Sequence, residues 1–248
     1  MNHLEHCAAL EVEAELFATV LENSPTQATV PSCPDWTVLD LATHLGTIHR
    51  WAEQLVRERA PKRQSSNDMH IDRGPVDATW MRAGARTLLD TLRSGDPETP
   101  MWAWGVDQHL RFWSRRQLHE TLMHRVDLEL AAGLSPDAAP DVAVDAIDEF
   151  LVNLKPAQVF SPNVAELRGH GQVLSVSTTD VAANWSIKLT PEGFEVRQSS
   201  DVSDAQLRGT AFDVLLVLYR RRRLDESTVR RDGDQGLIDF WIEHSALE

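Results

Sequence analysis

The chain carries only two cysteines, Cys7 and Cys33, too few for a disulfide framework, so both are read as reduced thiols. Long hydrophobic runs are missing too. The longest, residues 214–219, is far too short to span a bilayer. The opening Met1-Asn2-His3-Leu4-Glu5 has no apolar signal-peptide core, and the expectation is a cytoplasmic protein. Positive charge is scarce, with 24 Lys and Arg against 38 Asp and Glu and a formal net charge of −14. Such a field repels phosphate backbones and acidic lipid head groups, which argues against nucleic acid and membrane surfaces as partners. There is no glycine-rich phosphate loop, nucleophile elbow, Cys-x-x-Cys pair, internal repeat or low-complexity tract. Cys33 stands beside Pro34 with no basic neighbour in sequence, so nothing activates it as a nucleophile.

What is present is an ordinary globular composition, 42% hydrophobic and 25% charged over 248 residues, long enough for two domains. The first half reads as helices. Residues 4–22 place Leu10, Ala14, Phe17 and Leu21 at helical spacing, ended by Asn23-Ser24-Pro25. A proline-rich connector leads to Thr37-Val38-Leu39-Asp40, a capping-box start for a second helix running to about residue 60. Residues 62–74 read as a polar loop. Pro75 opens a third helix through residue 92, and a fourth spans 114–132 before Gly133. Four long helices on short and medium loops predict a four-helix bundle. Beyond Leu134-Ser135-Pro136 the pattern changes. A helix over 142–154 precedes strands at 173–177, 185–189, 194–197 and 206–209, then helices at 211–222 and 237–245. This half is α+β.

Ten histidines in an acidic chain direct attention to metal or acid/base sites. Five His/carboxylate pairs stand four residues apart, at Asp40/His44, His49/Glu53, Glu120/His124, Glu166/His170 and His244/Glu248. Chance supplies about three such pairs at this composition, so spacing does not choose among them. Helical phase puts His44 at the edge of the apolar arc of the second helix and His49 roughly 140° away, too far round to share an ion with it. In the fourth helix, Glu120, His124 and Asp127 form a stripe off the apolar arc, which reads as a solvated face salt-bridged with Arg116 and Arg125 nearby, whereas His119 lies on the apolar side. By phase, His119 is the preferred ligand. Trp102, Trp104 and Trp113 read as core or cleft wall, and the arginines at 220–223 as cations ending an apolar helix.

The connector Val30-Pro31-Ser32-Cys33-Pro34-Asp35-Trp36-Thr37-Val38, followed by Leu41-Ala42-Thr43-His44-Leu45, resembles the P-x-W-x-v-x-d-l-x-x-H-l signature of the mycothiol-dependent maleylpyruvate isomerase family. His119-Glu120-Thr121-Leu122-Met123-His124-Arg125-Val126-Asp127-Leu128-Glu129 resembles its second block. Gly209-Thr210-Ala211-Phe212-Asp213-Val214-Leu215-Leu216 and Gly233-Asp234 are similar to its C-terminal domain. The resemblance implies an α+β protein, with a DinB-like metal-binding four-helix bundle over 1–136 and a small α+β domain, similar to sterol-carrier folds, over 141–248. It implies a divalent metal, usually zinc, held by His44, Glu120 and His124, in place of the phase-preferred His119. It also implies an arginine in a Gly-Arg step after the apolar C-terminal helix. Here Arg220 stands where the family has that glycine, and Arg221 matches the arginine.

Two imidazoles and a carboxylate leave positions open on an ion, the pattern of a catalytic site. The function implied is that of a mycothiol-dependent isomerase or S-transferase working through a metal-bound thiolate on a small electrophile. Arg221 would bind the substrate carboxylate, and the protein would be a monomer or small homo-oligomer. Two other classes share the donor set. One is a non-catalytic metal- or ligand-binding module. The other is a mononuclear iron oxygenase, whose usual jelly-roll scaffold does not suit four helices.

Overall fold

The computed structural model describes residues 1–66, 69, 71, 74–199 and 202–247, and the chain divides into two units, Met1–Asp137 and Ala138–Glu248. Part of the predicted 62–74 loop, and Glu248 of the His244/Glu248 pair, lie outside the described residues.

In the first unit, Asn2 starts α1 (His3–Glu22) through a capping box. Its side chain accepts from Leu4 N and Glu5 N, and the Glu5 carboxylate accepts from Asn2 N at 2.7 Å. The connector that follows is not irregular. It forms a short antiparallel ribbon of β1 (Thr29–Val30) and β2 (Cys33–Thr37), with Ser32 in its turn. Thr37 then caps α2 (Val38–Glu58) with the capping box its sequence predicts, Asp40 Oδ2 accepting from Thr37 N at 2.9 Å.

The third helix begins later than Pro75 indicates. Asp77 accepts from Trp80 N and makes α3 Ala78–Ser94. The fourth begins earlier, α4 covering Leu110–Ala131, and Gly133 follows it at φ +72°. The helix α1 packs on α3 and α4, and α2 packs on the same two. Phe17, Leu41, Leu45, Met81 and Leu128 are among the residues of the core this encloses. The pair carrying the candidate site, α2 and α4, are therefore neighbours.

The second unit opens with α5 (Pro140–Asn153) and holds a five-stranded sheet. Its strands are β3 (Val173–Thr178), β4 (Asn184–Thr190), β5 (Gly193–Arg197), β6 (Ala205–Gly209) and β7 (Arg230–Gly233), in the order β5-β4-β3-β6-β7. β3 and β6 run parallel and the other neighbours antiparallel. Registers Leu174↔Ile187, Val176↔Trp185 and Val176↔Leu207 place these buried side chains on one face. Against this sheet lie α6 (Ala211–Leu218), packed on α5 and touching β3 and β6, and α7 (Gln235–His244).

The helix α6 stops four residues short of its predicted end. The amide of Arg220 reaches Val217 O at 3.0 Å and that of Arg221 reaches Leu216 O at 2.8 Å, a Schellman closure with Arg220 at φ +57°. The arginines at 220–223 thus leave the helix instead of forming its last turn. No helix among the described residues is long and apolar enough to cross a membrane.

Candidate metal centre

Two turns of α2 beyond its Thr37 cap bring His44 to face α4, where Arg116, Glu120, His124 and Asp127 follow at steps of four, four and three residues and so share a face. One ligand atom from each of His44, Glu120 and His124 can be chosen so that all lie within 4.8 Å of one another. Both histidines address the same carboxylate oxygen. His124 Nε2 is 3.1 Å and His44 Nε2 is 3.6 Å from Glu120 Oε1. The two rings meet edge-on at 5.0 Å, and the Trp36 ring lies 4.9 Å from that of His44. Glu120 Oε2 is engaged separately, accepting from Arg116 Nη2 at 3.0 Å.

The far side of His124 is equally defined. Its Nδ1 lies 3.1 Å from Oδ2 of the fully buried Asp127, whose Oδ1 accepts from Ser32 Oγ at 2.5 Å. Ser32 belongs to the ribbon turn, so residues from three stretches of chain form one polar line into the site. Burial opposes charge on Glu120, but the hydrogen bonds from His124 and His44 and the cation Arg116 outweigh it and hold the carboxyl well below its usual range. Burial likewise opposes charge on His124, yet Asp127 and Glu120 at its two nitrogens raise it to about 9. Without an ion, both ring nitrogens are therefore protonated and donate to carboxylates.

His49 is in a different situation. It is fully buried, and its Nε2 lies 2.8 Å from Thr121 Oγ1. The single hydroxyl proton of Thr121 is directed to Gln117 O at 2.7 Å, so His49 Nε2 must be the donor in their bond. Nδ1 is left as a buried lone pair with no hydrogen-bond partner. Burial, the largest influence, outweighs the attraction of Glu120 and, with the repulsion of Arg50 and His124 added, lowers this imidazole to about 3.

Of the i, i+4 pairs among the described residues, Glu120/His124 meets side chain to side chain, and the others do different work. Asp40 serves the cap of α2, and Glu53 pairs with Arg57 at 3.0 Å. Glu166 ends a short 3-10 turn, and His244 Nδ1 donates to Phe240 O at 2.8 Å. The phase-preferred His119 is buried with its ring against His6, at 6.4 Å, and is not one of the three converging residues.

The solvated-face reading of the Glu120 stripe is corrected. Asp127 is buried and Glu120 and His124 largely so, because α1, α2 and β1 all pack on α4 and cover it from several sides. Of the tryptophans, Trp113 is core, stacked edge-on with Trp51 at 5.3 Å. Arg221 follows α6 in the second unit, and its Nη1 donates to Tyr219 O at 2.9 Å.

Sequence reasoning gave no role to Ser32, placed Arg116 only as a salt-bridge neighbour of the stripe, and passed Asp127 as a surface acid. The three-residue step from His124 to Asp127 was the available signal, since it puts both on one face.

Known proteins sharpen this picture. Residues 7–129 match the family described as "Mycothiol maleylpyruvate isomerase N-terminal domain", and residues 141–240 match "MDMPI C-terminal domain". No curated protein matches the chain in sequence. Among solved structures, the mycothiol-dependent maleylpyruvate isomerase aligns with a TM-score of 0.59 and 11% identity, over 92% of this chain and 93% of that one. Its H52A mutant aligns with a TM-score of 0.60 at the same identity and coverage. At that identity the likeness is one of fold, while the two family matches take in most of the sequence. The chain belongs to the mycothiol-dependent maleylpyruvate isomerase family.

Proposed function

We propose that this protein is a metal- and mycothiol-dependent isomerase or S-transferase acting on a small electrophile, with His44, Glu120 and His124 holding a divalent ion, zinc foremost. The observation that carries the reading is the convergence of two imidazole nitrogens on one carboxylate oxygen within a group of three donors spanning no more than 4.8 Å. Two histidines and a glutamate are a donor set of catalytic zinc sites, in which a position stays open. When bound, such an ion supplies the positive charge that keeps a coordinated thiol deprotonated at neutral pH.

The chain's own residues prepare for this. Glu120 is already ionised, held so by Arg116 and the two histidines against the cost of its burial. Asp127 accepts the Nδ1 proton of His124 and thereby turns Nε2 toward the shared carboxylate oxygen, the outer-shell arrangement that fixes tautomer and ring orientation. Arg221 is the residue we assign to a substrate carboxylate, which a guanidinium grips bidentately. On a conjugated cis alkene the thiolate sulfur would add to one alkene carbon, and the bond, now single, would turn. The sulfur would then leave with its electron pair, re-forming the alkene and releasing the thiolate unchanged. If the carbanion instead took up a proton and kept the sulfur, the product would be a thioether and the enzyme a transferase. Membership of the family favours the first outcome.

The test is metal content by elemental analysis of tag-free protein, wild type beside Glu120→Ala, followed by thiol-dependent turnover beside His44→Ala. Near-stoichiometric zinc that is lost in the first variant, with turnover lost in the second, is the expected result. A wild type that is metal-free and cannot be reloaded would overturn the reading. Zinc without thiol-dependent turnover would favour the binding module.

A further inference from the structure

The two oxygens of Glu120 have divided tasks. Oε1 faces His124 Nε2 at 3.1 Å and His44 Nε2 at 3.6 Å, whereas Oε2 accepts from Arg116 Nη2 at 3.0 Å. Arg116 stands one turn before Glu120 on α4. Its side chain is 7% exposed, with the guanidinium carbon 5.9 Å from the centre of the Trp104 ring. A charge-assisted bond between a buried guanidinium and a carboxylate oxygen is strong and directional. Turning Oε2 toward an ion would break that bond.

The alternatives differ in what they leave for a cosubstrate. A carboxylate that chelates through both oxygens would take up a second position on the ion and crowd an incoming ligand. A carboxylate confined to one oxygen leaves a position for an incoming sulfur. We propose that Arg116 is a positioning residue that fixes Glu120 as a one-oxygen ligand and so keeps a coordination position open for the thiol. This rests on the metal reading above.

The experiment uses the full chain loaded with Co2+, whose visible spectrum reports coordination, titrated with 2-mercaptoethanol and followed by sulfur-to-cobalt charge transfer. Wild type is compared with Arg116→Met, which keeps the bulk and loses the donors, and with Arg116→Lys, which restores a donor. The expected result is Co2+ affinity in Arg116→Met equal to or above that of wild type, with thiol affinity about tenfold or more weaker and part of the loss recovered in Arg116→Lys. An unchanged thiol affinity overturns the proposal, and so does a parallel fall in metal and thiol affinity, which marks a merely structural role. A wild type that takes up no Co2+ is the separate failure of the metal reading. Should Arg116→Met not fold, X-ray absorption on zinc-loaded wild type decides the matter. The short zinc–carbon distance of a chelating carboxylate would overturn the proposal, and its absence beside a bound carboxylate oxygen would support it.

Discussion

Replacing His49 with glutamine should make the protein less sensitive to acid, although His49 lies outside the candidate metal centre. The native state holds this imidazole neutral down to about pH 3, and the unfolded chain protonates it near its ordinary 6.5. Between those values the unfolded state binds the extra proton, so its contribution to stability is complete above pH 6.5 and is lost as pH falls toward 3. Linkage over the window from pH 7 to pH 5 gives a loss of about 2 kcal/mol from this one group. The figure hardly depends on how far below 5 the native value lies, because the folded protein stays unprotonated throughout. Glutamine fills a similar volume and can donate to Thr121 Oγ1, but it does not titrate. The assay is urea unfolding of the full chain in chelator, followed by tryptophan fluorescence at intervals from pH 7.5 to pH 5. Wild type should lose about 2 kcal/mol more than His49→Gln across pH 7 to 5, whatever the absolute stabilities. Acidic groups shared by both proteins cancel in the difference. Parallel stability curves would refute the argument and would mean that the Nδ1 lone pair finds a proton or a partner in the native state.

Two further outcomes follow from the same geometry. Asp127→Ala should weaken zinc binding by about 10–100-fold in competition with a chromophoric chelator, with Asp127→Asn milder because it can still accept from His124 Nδ1; equal affinity in all three proteins would remove Asp127 from the site's support. Arg220→Gly should stabilise the protein by roughly 0.5–1 kcal/mol, because glycine takes the left-handed turn after α6 without the Cβ penalty and gives back part of that gain in unfolded-state entropy. The melting temperature read by calorimetry should rise, and a fall would show that the Arg220 side chain contributes more than its backbone strain costs.

Much of the fold was legible because helices advertise themselves through period and punctuation. Thr37 and Asp40 marked the start of α2, and Leu10, Ala14, Phe17 and Leu21 marked the buried face of α1. β7 gave no such signal. Arg230, Arg231, Asp232 and Gly233 are all exposed, so no alternation recorded that the strand pairs with β6. The end of α6 was hidden for another reason. What stops the helix is a positive φ at Arg220, a residue type that ordinarily continues one.

At the site, the helical wheel preferred His119 because it assumes one wet face and one dry face. With α1, α2 and β1 all against it, α4 has hardly any wet face, and apolar phase loses its power to discriminate. The pairing of His124 with Glu120 followed from the sequence blocks. Arg116, four residues before Glu120, was legible as a salt-bridge neighbour, whereas Ser32 emerged only once the ribbon and α4 were seen side by side.

That ribbon has a bearing on how related sequences are judged. The hydroxyl that holds Asp127 comes from a turn nearly a hundred residues upstream, and no metal donor lies in that turn. A sequence could therefore keep His44, Glu120 and His124 intact and still lose the hydrogen bond to Asp127, through a one-residue insertion before Trp36 or a Ser32→Ala change. A comparison confined to the three proposed ligands would not register that loss. The integrity of this centre is better judged by five positions, Ser32 and Asp127 included, than by the three that would touch an ion.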